Sequence, residues 1–136
     1  MTIRCYVDGA CRPNPGKGGT GIVFEGDKMS YTISEKLSGD RLSSNECEYL
    51  AFNWALSEIL GYGFNNEEIE VLSDSEMLVL QMLGEKEVDK GGKYVSVYLE
   101  AKELIKHFPN LTIEHIPREQ NAEANLLASG AIRVWH

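Results

Sequence analysis

Several features that mark specialised protein classes are absent from this 136-residue chain. No apolar run approaches the length of about 20 residues that a membrane-spanning helix needs. The N-terminus lacks the succession of basic, apolar and small residues that forms a secretory signal peptide. The sequence also has no internal repeat and no low-complexity tract. We therefore expect a single domain over residues 1–136 with one hydrophobic core, in a cytoplasmic protein.

Cysteine is scarce, and its positions exclude two kinds of site. Cys5, Cys11 and Cys47 cannot all pair with one another, and they do not follow the spacing of a zinc site. A catalytic thiolate is disfavoured because no histidine lies near them in the sequence. We interpret the three as reduced thiols of a protein from a reducing compartment.

Positive charge is in deficit, with 13 Lys and Arg against 21 Asp and Glu and a net charge of −8. This deficit argues against a protein that binds nucleic acid through nonspecific attraction to phosphate. It leaves room for nucleic-acid binding in which metal ions mediate the contact. Arg12, Lys17 and Arg41 are local basic groups that could assist such binding.

Hydrophobic periodicity predicts an α/β fold with the element order β-β-β-α-β-α-α-β-α. Strands are predicted at about 3–7, 20–25, 28–37, 68–73 and 111–116, and helices at about 44–60, 75–83, 93–108 and from 120 or 121 onward. Residues 9–19, rich in Gly and Pro, predict an irregular loop. Three antiparallel strands followed by two β-α units predict a mixed five-stranded sheet with helices on both faces.

Three carboxylates occupy positions that such a fold would bring together. Asp8 and Asp74 each follow a predicted strand, and Glu48 begins the apolar face of the first predicted helix. Sites in open α/β sheets gather at the carboxyl ends of the strands, so we expect the three to converge. They would repel one another unless a hard cation such as Mg²⁺ lay among them. Taken alone, Asp8-Gly9 is more typical of an ordinary turn.

Four segments carry a family resemblance. They are residues 6–16 (YVDGACRPNPG), 44–51 (SNECEYLA), 72–75 (LSDS) and 116–128 (IPREQNAEANLLA). In this order and spacing they resemble the type 1 ribonuclease H family over nearly the whole chain. The resemblance implies a ribonuclease H-like fold and a metal-dependent endonuclease that hydrolyses the RNA strand of RNA–DNA hybrids. It further implies two Mg²⁺ or Mn²⁺ ions during catalysis, and products with 3′-hydroxyl and 5′-phosphate ends.

The resemblance also implies roles for individual residues. Asp8, Glu48 and Asp74 match three of the family's four catalytic, metal-binding carboxylates, and Asn125 stands at the position of the fourth. The positions implied to contact the substrate are Cys11, Asn14, Ser43, Ser44, Asn45 and Glu76.

This chain departs from the family pattern at positions that bear on activity. Asn125 replaces the fourth aspartate, Ser44 replaces a commoner asparagine, and Glu76 adds negative charge where glutamine is frequent. Residues 85–92 are mixed in charge, so the basic substrate-binding protrusion of some members is expected to be absent.

Two alternatives to an active ribonuclease H stay open. One is a member that binds hybrids without efficient cleavage because Asn125 has weakened it, and the other is a related fold that cleaves DNA or belongs to a larger polymerase system. The retained carboxylates argue against pure binding. Asn14 and Asn45 favour RNA recognition, since an amide can hydrogen-bond a 2′-hydroxyl. We expect an RNA–DNA hybrid as partner, no membrane association and a monomer.

Overall fold

The protein folds as a mixed five-stranded sheet with helices on both faces, as the sequence predicts. The computed structural model describes residues 2–132, so Met1 and residues 133–136 of the predicted domain lie outside the described residues. The strands are β1 (Thr2–Arg12), β2 (Lys17–Glu25), β3 (Tyr31–Lys36), β4 (Glu68–Ser73) and β5 (Leu111–His115). The helices are α1 (Ser44–Gly61), α2 (Glu76–Met82), α3 (Val95–Leu104) and α4 (Ala122–Ala131), with 3-10 turns at Ile105–His107 and Arg118–Asn121.

The strand order in the sheet is β3-β2-β1-β4-β5. β1, β2 and β3 pair antiparallel, whereas β4 pairs parallel with both β1 and β5. Because β1, β4 and β5 run in the same direction, their carboxyl ends share one edge of the sheet, where sites in such folds form. Within residues 2–132, no helix has both the length and the apolar character needed to cross a membrane.

The first strand is longer than the sequence predicts. Its parallel pairing with β4 ends at Val7 and Ser73, but its antiparallel pairing with β2 continues as far as Arg12. The predicted loop at 9–19 is therefore wrong, and only a turn at residues 13–16 separates the two strands. Asp8 consequently lies within β1, at the point where the parallel part of the sheet ends.

Two other predicted boundaries are wrong by a few residues. β3 begins at Tyr31 and not at Lys28, because its pairing with β2 starts there. α3 covers only Val95–Leu104 of the predicted helix at 93–108, and a 3-10 turn follows it. The last helix begins at Ala122 with Asn121 as its N-cap, within one or two residues of the predicted start, and another 3-10 turn precedes it. Such turns are frequent at helix ends, where the hydrogen bonding of the backbone tightens.

The main hydrophobic core lies between α1 and one face of the sheet. Ile3, Cys5 and Val7 alternate along β1 and are at most 1% exposed, which fits the period of two of a strand. The largest fully buried side chains include Tyr49, Phe24, Phe52, Ile3, Ile22 and Leu56. The apolar surface that these side chains remove from water is the main source of stability, at roughly 25 cal/mol per Å².

Two glycines let helices approach the sheet closely from opposite faces. A Cβ atom at Gly9 would lie 2.2 Å from the carbonyl carbon of Cys47 in α1. One at Gly21 would lie 2.1 Å from the carbonyl oxygen of Ala124 in α4. Asp8 is paired with Gly21 across the two strands, so its side chain lies on the α4 face while Gly9 faces α1.

Replacing Gly21 with Ala should therefore destabilise the protein by about 1–3 kcal/mol, since the added methyl group would meet the backbone of α4. Gly130→Ala in the same helix is the matched control, because no atom lies within 4 Å of its added Cβ. That change should leave the free energy of unfolding unchanged or raise it by up to about 1 kcal/mol. Urea unfolding measures both, and equal stabilities of the two variants would contradict the packing described.

Candidate metal centre and substrate cleft

Three carboxylates from separate parts of the chain meet at the shared edge of the parallel strands. Asp8 comes from β1, Glu48 from α1 and Asp74 from the residue that follows β4. One oxygen of each lies within 4.8 Å of the others, and in the described part of the chain no other group of three acidic, His or Cys side chains does so. Asp8 is only 3% exposed, while Glu48 and Asp74 are half-buried. The predicted convergence of these carboxylates is thus present in the structure.

Hydrogen bonds from neighbouring elements orient these carboxylates. The backbone N–H of Gly9 donates to Oε1 of Glu48 at 3.0 Å, which joins β1 to α1. Nδ2 of Asn125 in α4 donates to Oδ2 of Asp8 at 2.9 Å. Nδ2 of the buried Asn121 donates to the carbonyl oxygen of Val7 at 2.9 Å. The start of α4 is therefore fixed to β1 by two side chains that are four residues, or about one helical turn, apart.

The first turn of α1 and the end of β4 are fixed by local serine contacts. Oγ of Ser43 accepts from the backbone N–H of Glu46 at 3.2 Å, and Oε1 of Glu46 accepts from the N–H of Ser43 at 2.9 Å. This reciprocal pair is a capping box, which sets where the helix begins. Beside Asp74, the N–H of Ser75 donates to Oγ of Ser73 at 3.0 Å. Both half-buried carboxylates therefore extend from rigid backbone.

The charges of this cluster are unfavourable without a cation. Burial, followed by the negative charge of Asp74, raises the pKa of Asp8 to about 6, although hydrogen bonds with Glu48, Asn125 and Gly9 oppose the rise. Burial and then the charges of Asp8 and Asp74 raise the pKa of Glu48 well above its usual range. Both shifts reflect the free energy needed to hold ionised groups close together away from water.

This donor set fits a hard divalent cation. It offers carboxylate oxygens and no thiolate or imidazole, the combination that suits Mg²⁺ or Mn²⁺ better than Zn²⁺. Asn125 turns its Nδ2 toward Asp8, which leaves its Oδ1 atom as a further neutral oxygen. A cation among these oxygens would offset both the burial and the repulsion that raise the two pKa values.

Most of the residues expected to contact substrate lie together beside the carboxylates. Oδ1 of Asn14 accepts from the backbone N–H of Ser44 at 3.3 Å, and Sγ of Cys11 lies 3.5 Å from Oγ of the same serine. Ser43 is the N-cap of α1, and Asn45 is half-buried in its first turn. The structure thus joins the turn after β1 to the start of α1.

Glu76 differs from that group. It is exposed as the first residue of α2, two residues after Asp74, and makes no side-chain hydrogen bond within the described residues. Its negative charge therefore lies close in sequence to Asp74. No side-chain hydrogen bond in the described residues joins Glu76 to the strip formed by the other five residues, which are Cys11, Asn14, Ser43, Ser44 and Asn45.

A cleft of about 360 Å³ contains the carboxylates. Its lining also includes Arg12, Arg118 and Ser129. Of these three residues, only Arg12 stands out in the sequence, as a basic group without an assigned site. Ser129 lies four residues after Asn125, so helical spacing was the signal that could have found it. Arg118 lies within the matching segment 116–128, but its side-chain direction depends on the 3-10 turn that precedes α4.

Comparisons with known proteins settle the family. Residues 6–131 match the model of a family described as reverse transcriptase-like. The fold and sequence also match solved ribonuclease H1 structures. The chain belongs to the ribonuclease H family.

Individual relatives resemble this ribonuclease H family member over most of its length. EbsB of Enterococcus faecalis is 33% identical over 134 residues, covering 98% of this chain and 96% of EbsB. Ribonuclease HI of Halobacterium salinarum is 32% identical over 134 residues, covering 96% of this chain and 64% of that protein. The bifunctional protein Rv2228c of Mycobacterium tuberculosis is 31% identical, and the match spans 36% of its length.

A solved structure extends this likeness to three dimensions. LC11-RNase H1, isolated from compost by a metagenomic approach, superposes with a TM-score of 0.84 at 33% identity, covering 96% of this chain and 95% of that one. LC11-RNase H1 has also been solved in complex with an RNA/DNA hybrid, and that structure matches at the same TM-score with 32% identity.

The raised pKa of Asp8 predicts how the metal-free protein responds to pH. Native Asp8 keeps its proton up to about pH 6, whereas the unfolded chain loses it near its ordinary value of 3.8. Between about pH 3.8 and pH 6 the native state therefore binds more protons than the unfolded chain. The contribution of Asp8 to the free energy of unfolding consequently falls as the pH rises through this range. Asp8→Asn should raise the melting temperature at pH 8 by roughly 5 °C in EDTA, with a smaller gain below pH 4.

Asp27→Asn in the exposed connection between β2 and β3 is the control for this measurement, and it should change the melting temperature little at either pH. Thermal unfolding followed by circular dichroism gives the comparison. An Asp8→Asn protein no more stable than the parent at pH 8 would mean that burial and the charge of Asp74 do not disfavour the ionised form of Asp8 as the structure indicates.

Proposed function

We propose that this member of the ribonuclease H family is a metal-dependent endonuclease that hydrolyses the RNA strand of RNA–DNA hybrids and leaves 3′-hydroxyl and 5′-phosphate ends. The observation that carries the proposal is the convergence of Asp8, Glu48 and Asp74 within 4.8 Å. Its similarity to LC11-RNase H1, which has been solved in complex with an RNA/DNA hybrid, supports the choice of substrate. We expect the enzyme to act as a monomer in the cytoplasm.

Asp8, Glu48 and Asp74 would hold Mg²⁺ or Mn²⁺, two ions during catalysis, with Asn125 as a neutral fourth oxygen donor. When bound, these cations would stabilise charge on the phosphate oxygens and make water a better nucleophile. The role of Asp8 is central, because this side chain is the most buried of the three and is oriented by Asn125. Glu48 is kept in position by the N–H of Gly9.

The remaining work of the protein is to position the scissile phosphate. Arg12 and Arg118 line the same cleft as the carboxylates and can offer N–H donors to phosphate oxygens. They supply local positive charge in a protein whose net charge is −8. Fixed alignment of the reacting groups can account for a large part of the rate of such a reaction, since the side chains need no rearrangement.

Recognition of the hybrid falls to the strip formed by Cys11, Asn14, Ser43, Ser44 and Asn45. Oδ1 of Asn14 is engaged by the N–H of Ser44, so its Nδ2 can donate to a ribose 2′-hydroxyl or a base edge. Ser43 accepts the helix-capping bond through its oxygen and keeps its hydroxyl proton for a DNA phosphate. Glu76 would lie at the margin of this surface, where its charge would weaken phosphate binding.

Cleavage of a labelled RNA–DNA hybrid in Mg²⁺ or Mn²⁺ tests this function, with a DNA duplex of the same sequence as the control substrate. Asp8→Asn, Glu48→Gln and Asp74→Asn should each reduce the rate by about 10²-fold or more, because each removes a charged ligand. Asp27→Asn is the control, because this carboxylate lies in the connection between β2 and β3 and does not line the cleft. It should retain the parent rate. Equal cutting of both substrates, or full activity in any of the three variants, would overturn the proposal.

Asn125 supports a second candidate function, in which the protein binds hybrids without cutting them. The amide makes a hydrogen bond to Asp8 where a fourth carboxylate would bring charge to the ions. The first candidate requires that three carboxylates and one amide suffice for catalysis. The second requires that they do not.

Asn125→Asp separates the two candidates. In the metal-free protein this change places two carboxylates at the position of a 2.9 Å hydrogen bond, so the melting temperature should fall. Added Mn²⁺ should stabilise the variant more than the parent, and its cleavage rate should rise most at low metal concentration. If the parent cuts at no metal concentration while the variant cuts well, the binding candidate is correct. Coincident metal titrations would show that Asn125 takes no part in the metal site.

A further inference from the structure

Two of the three cysteine thiols meet beside the metal centre. Cys11 in β1 is paired directly with Gly18 in β2. Opposed residues of neighbouring strands present their side chains on the same face, about 4.5–5.5 Å apart. A Cβ atom at Gly18 would lie 2.5 Å from Sγ of Cys47. The sulfur of Cys47 therefore occupies the space beside Cys11 that a side chain on residue 18 would fill.

Contacts with α1 place the Cys11 thiol against the same part of that helix. Sγ of Cys11 lies 3.5 Å from Oγ of Ser44, and Ser44 and Cys47 are three residues apart on one helix face. The Cys11 thiol is also one of the groups that raise the pKa of Cys47 to about 12, after burial itself. Cys5 lies six residues before Cys11 in β1, roughly 20 Å away along an extended strand. The backbone of Cys47 packs against Gly9, which is roughly 13 Å beyond Cys5 along the same strand, so Cys5 is not positioned to bond with either thiol.

We propose that Cys11 and Cys47 form a redox-sensitive pair that closes into a reversible disulfide when the protein meets a hydroperoxide. Cys11 is half-exposed and reacts first, whereas Cys47 is fully buried. The sulfur of Cys11 attacks one peroxide oxygen, the O–O bond breaks, and a sulfenic acid and water form. The sulfur of Cys47 then attacks that of Cys11, the S–O bond breaks, and a second water leaves. Two thiols thereby lose two electrons and two protons, and H₂O₂ is reduced to two waters.

Closing this disulfide would disturb the catalytic carboxylates. Gly9 already contacts the backbone of Cys47 so closely that a Cβ atom would not fit, and its N–H holds Glu48. We expect that drawing the sulfur of Cys11 from Ser44 to bonding distance from Cys47 shifts β1 relative to the first turn of α1. Displacement of a reacting group by about 1 Å can reduce a rate about 10²-fold. This loss of activity rests on the proposed function, whereas formation of the disulfide does not.

Mass spectrometry of the intact protein after treatment with H₂O₂ tests the pair directly. We expect a loss of about 2 Da, and a peptide that links Cys11 to Cys47 after proteolysis without reductant. Dithiothreitol should restore the mass and the cleavage rate together. An oxidised protein that only gains oxygen, that links through Cys5, or that forms disulfides only between molecules would overturn the proposal.

Cys47→Ala is the matched variant, since Cys47 is not a proposed substrate contact. When reduced, it should cut hybrid at the parent rate, and under peroxide it should not lose the 2 Da. Cys11→Ser gives the same mass readout if Cys47→Ala fails to fold, and Cys5→Ala should still form the bond. A disulfide that forms without any change in cleavage would overturn the link to Glu48. Absence of cleavage by the reduced parent would contradict the proposed function and leave the mass result valid.

Discussion

Repulsion among three carboxylates is the constraint that the rest of the structure serves. Asp8, Glu48 and Asp74 approach within 4.8 Å, and burial together with this repulsion raises the pKa values of Asp8 and Glu48. Side chains free to move would separate to relieve this repulsion. They remain together because parallel pairing of β1 with β4 places two of them at adjacent strand positions, and Gly9 brings α1 against β1. The fold thus keeps a locally unfavourable arrangement that a cation would stabilise.

The sequence predicts the order of elements and the sheet correctly because both depend on repeating patterns. Short runs of strand-forming residues identify β1 and β4, and helical spacing identifies α1, so the meeting of Asp8, Glu48 and Asp74 follows from topology. The extension of β1 to Arg12 could not be predicted in this way. Local composition at residues 9–19 favours a loop, and only the long pairing with β2 overrides it. Propensity is a weaker determinant than such tertiary pairing.

Side-chain roles in the candidate site were harder to predict than side-chain positions. Ser43 is a helix cap by its contacts with Glu46, and this local role is sufficient to explain a serine there. Its proposed phosphate contact uses the same hydroxyl, so residue type alone cannot separate the two roles. Arg118 could not be placed in the cleft from sequence, because a 3-10 turn and not a regular helix sets its direction.

Asn125 shows how stability and metal binding oppose each other at one position. Its amide makes a 2.9 Å hydrogen bond to Asp8, and that bond lowers the pKa of Asp8 against the effect of burial. A carboxylate in the same place would add a fourth negative charge and lose the N–H donor, so the metal-free fold would be less stable. It would also attract cations more strongly. The amide therefore favours a fold that tolerates the absence of metal, and the carboxylate favours occupancy by metal. Functional sites in proteins often stand at such a compromise between activity and stability.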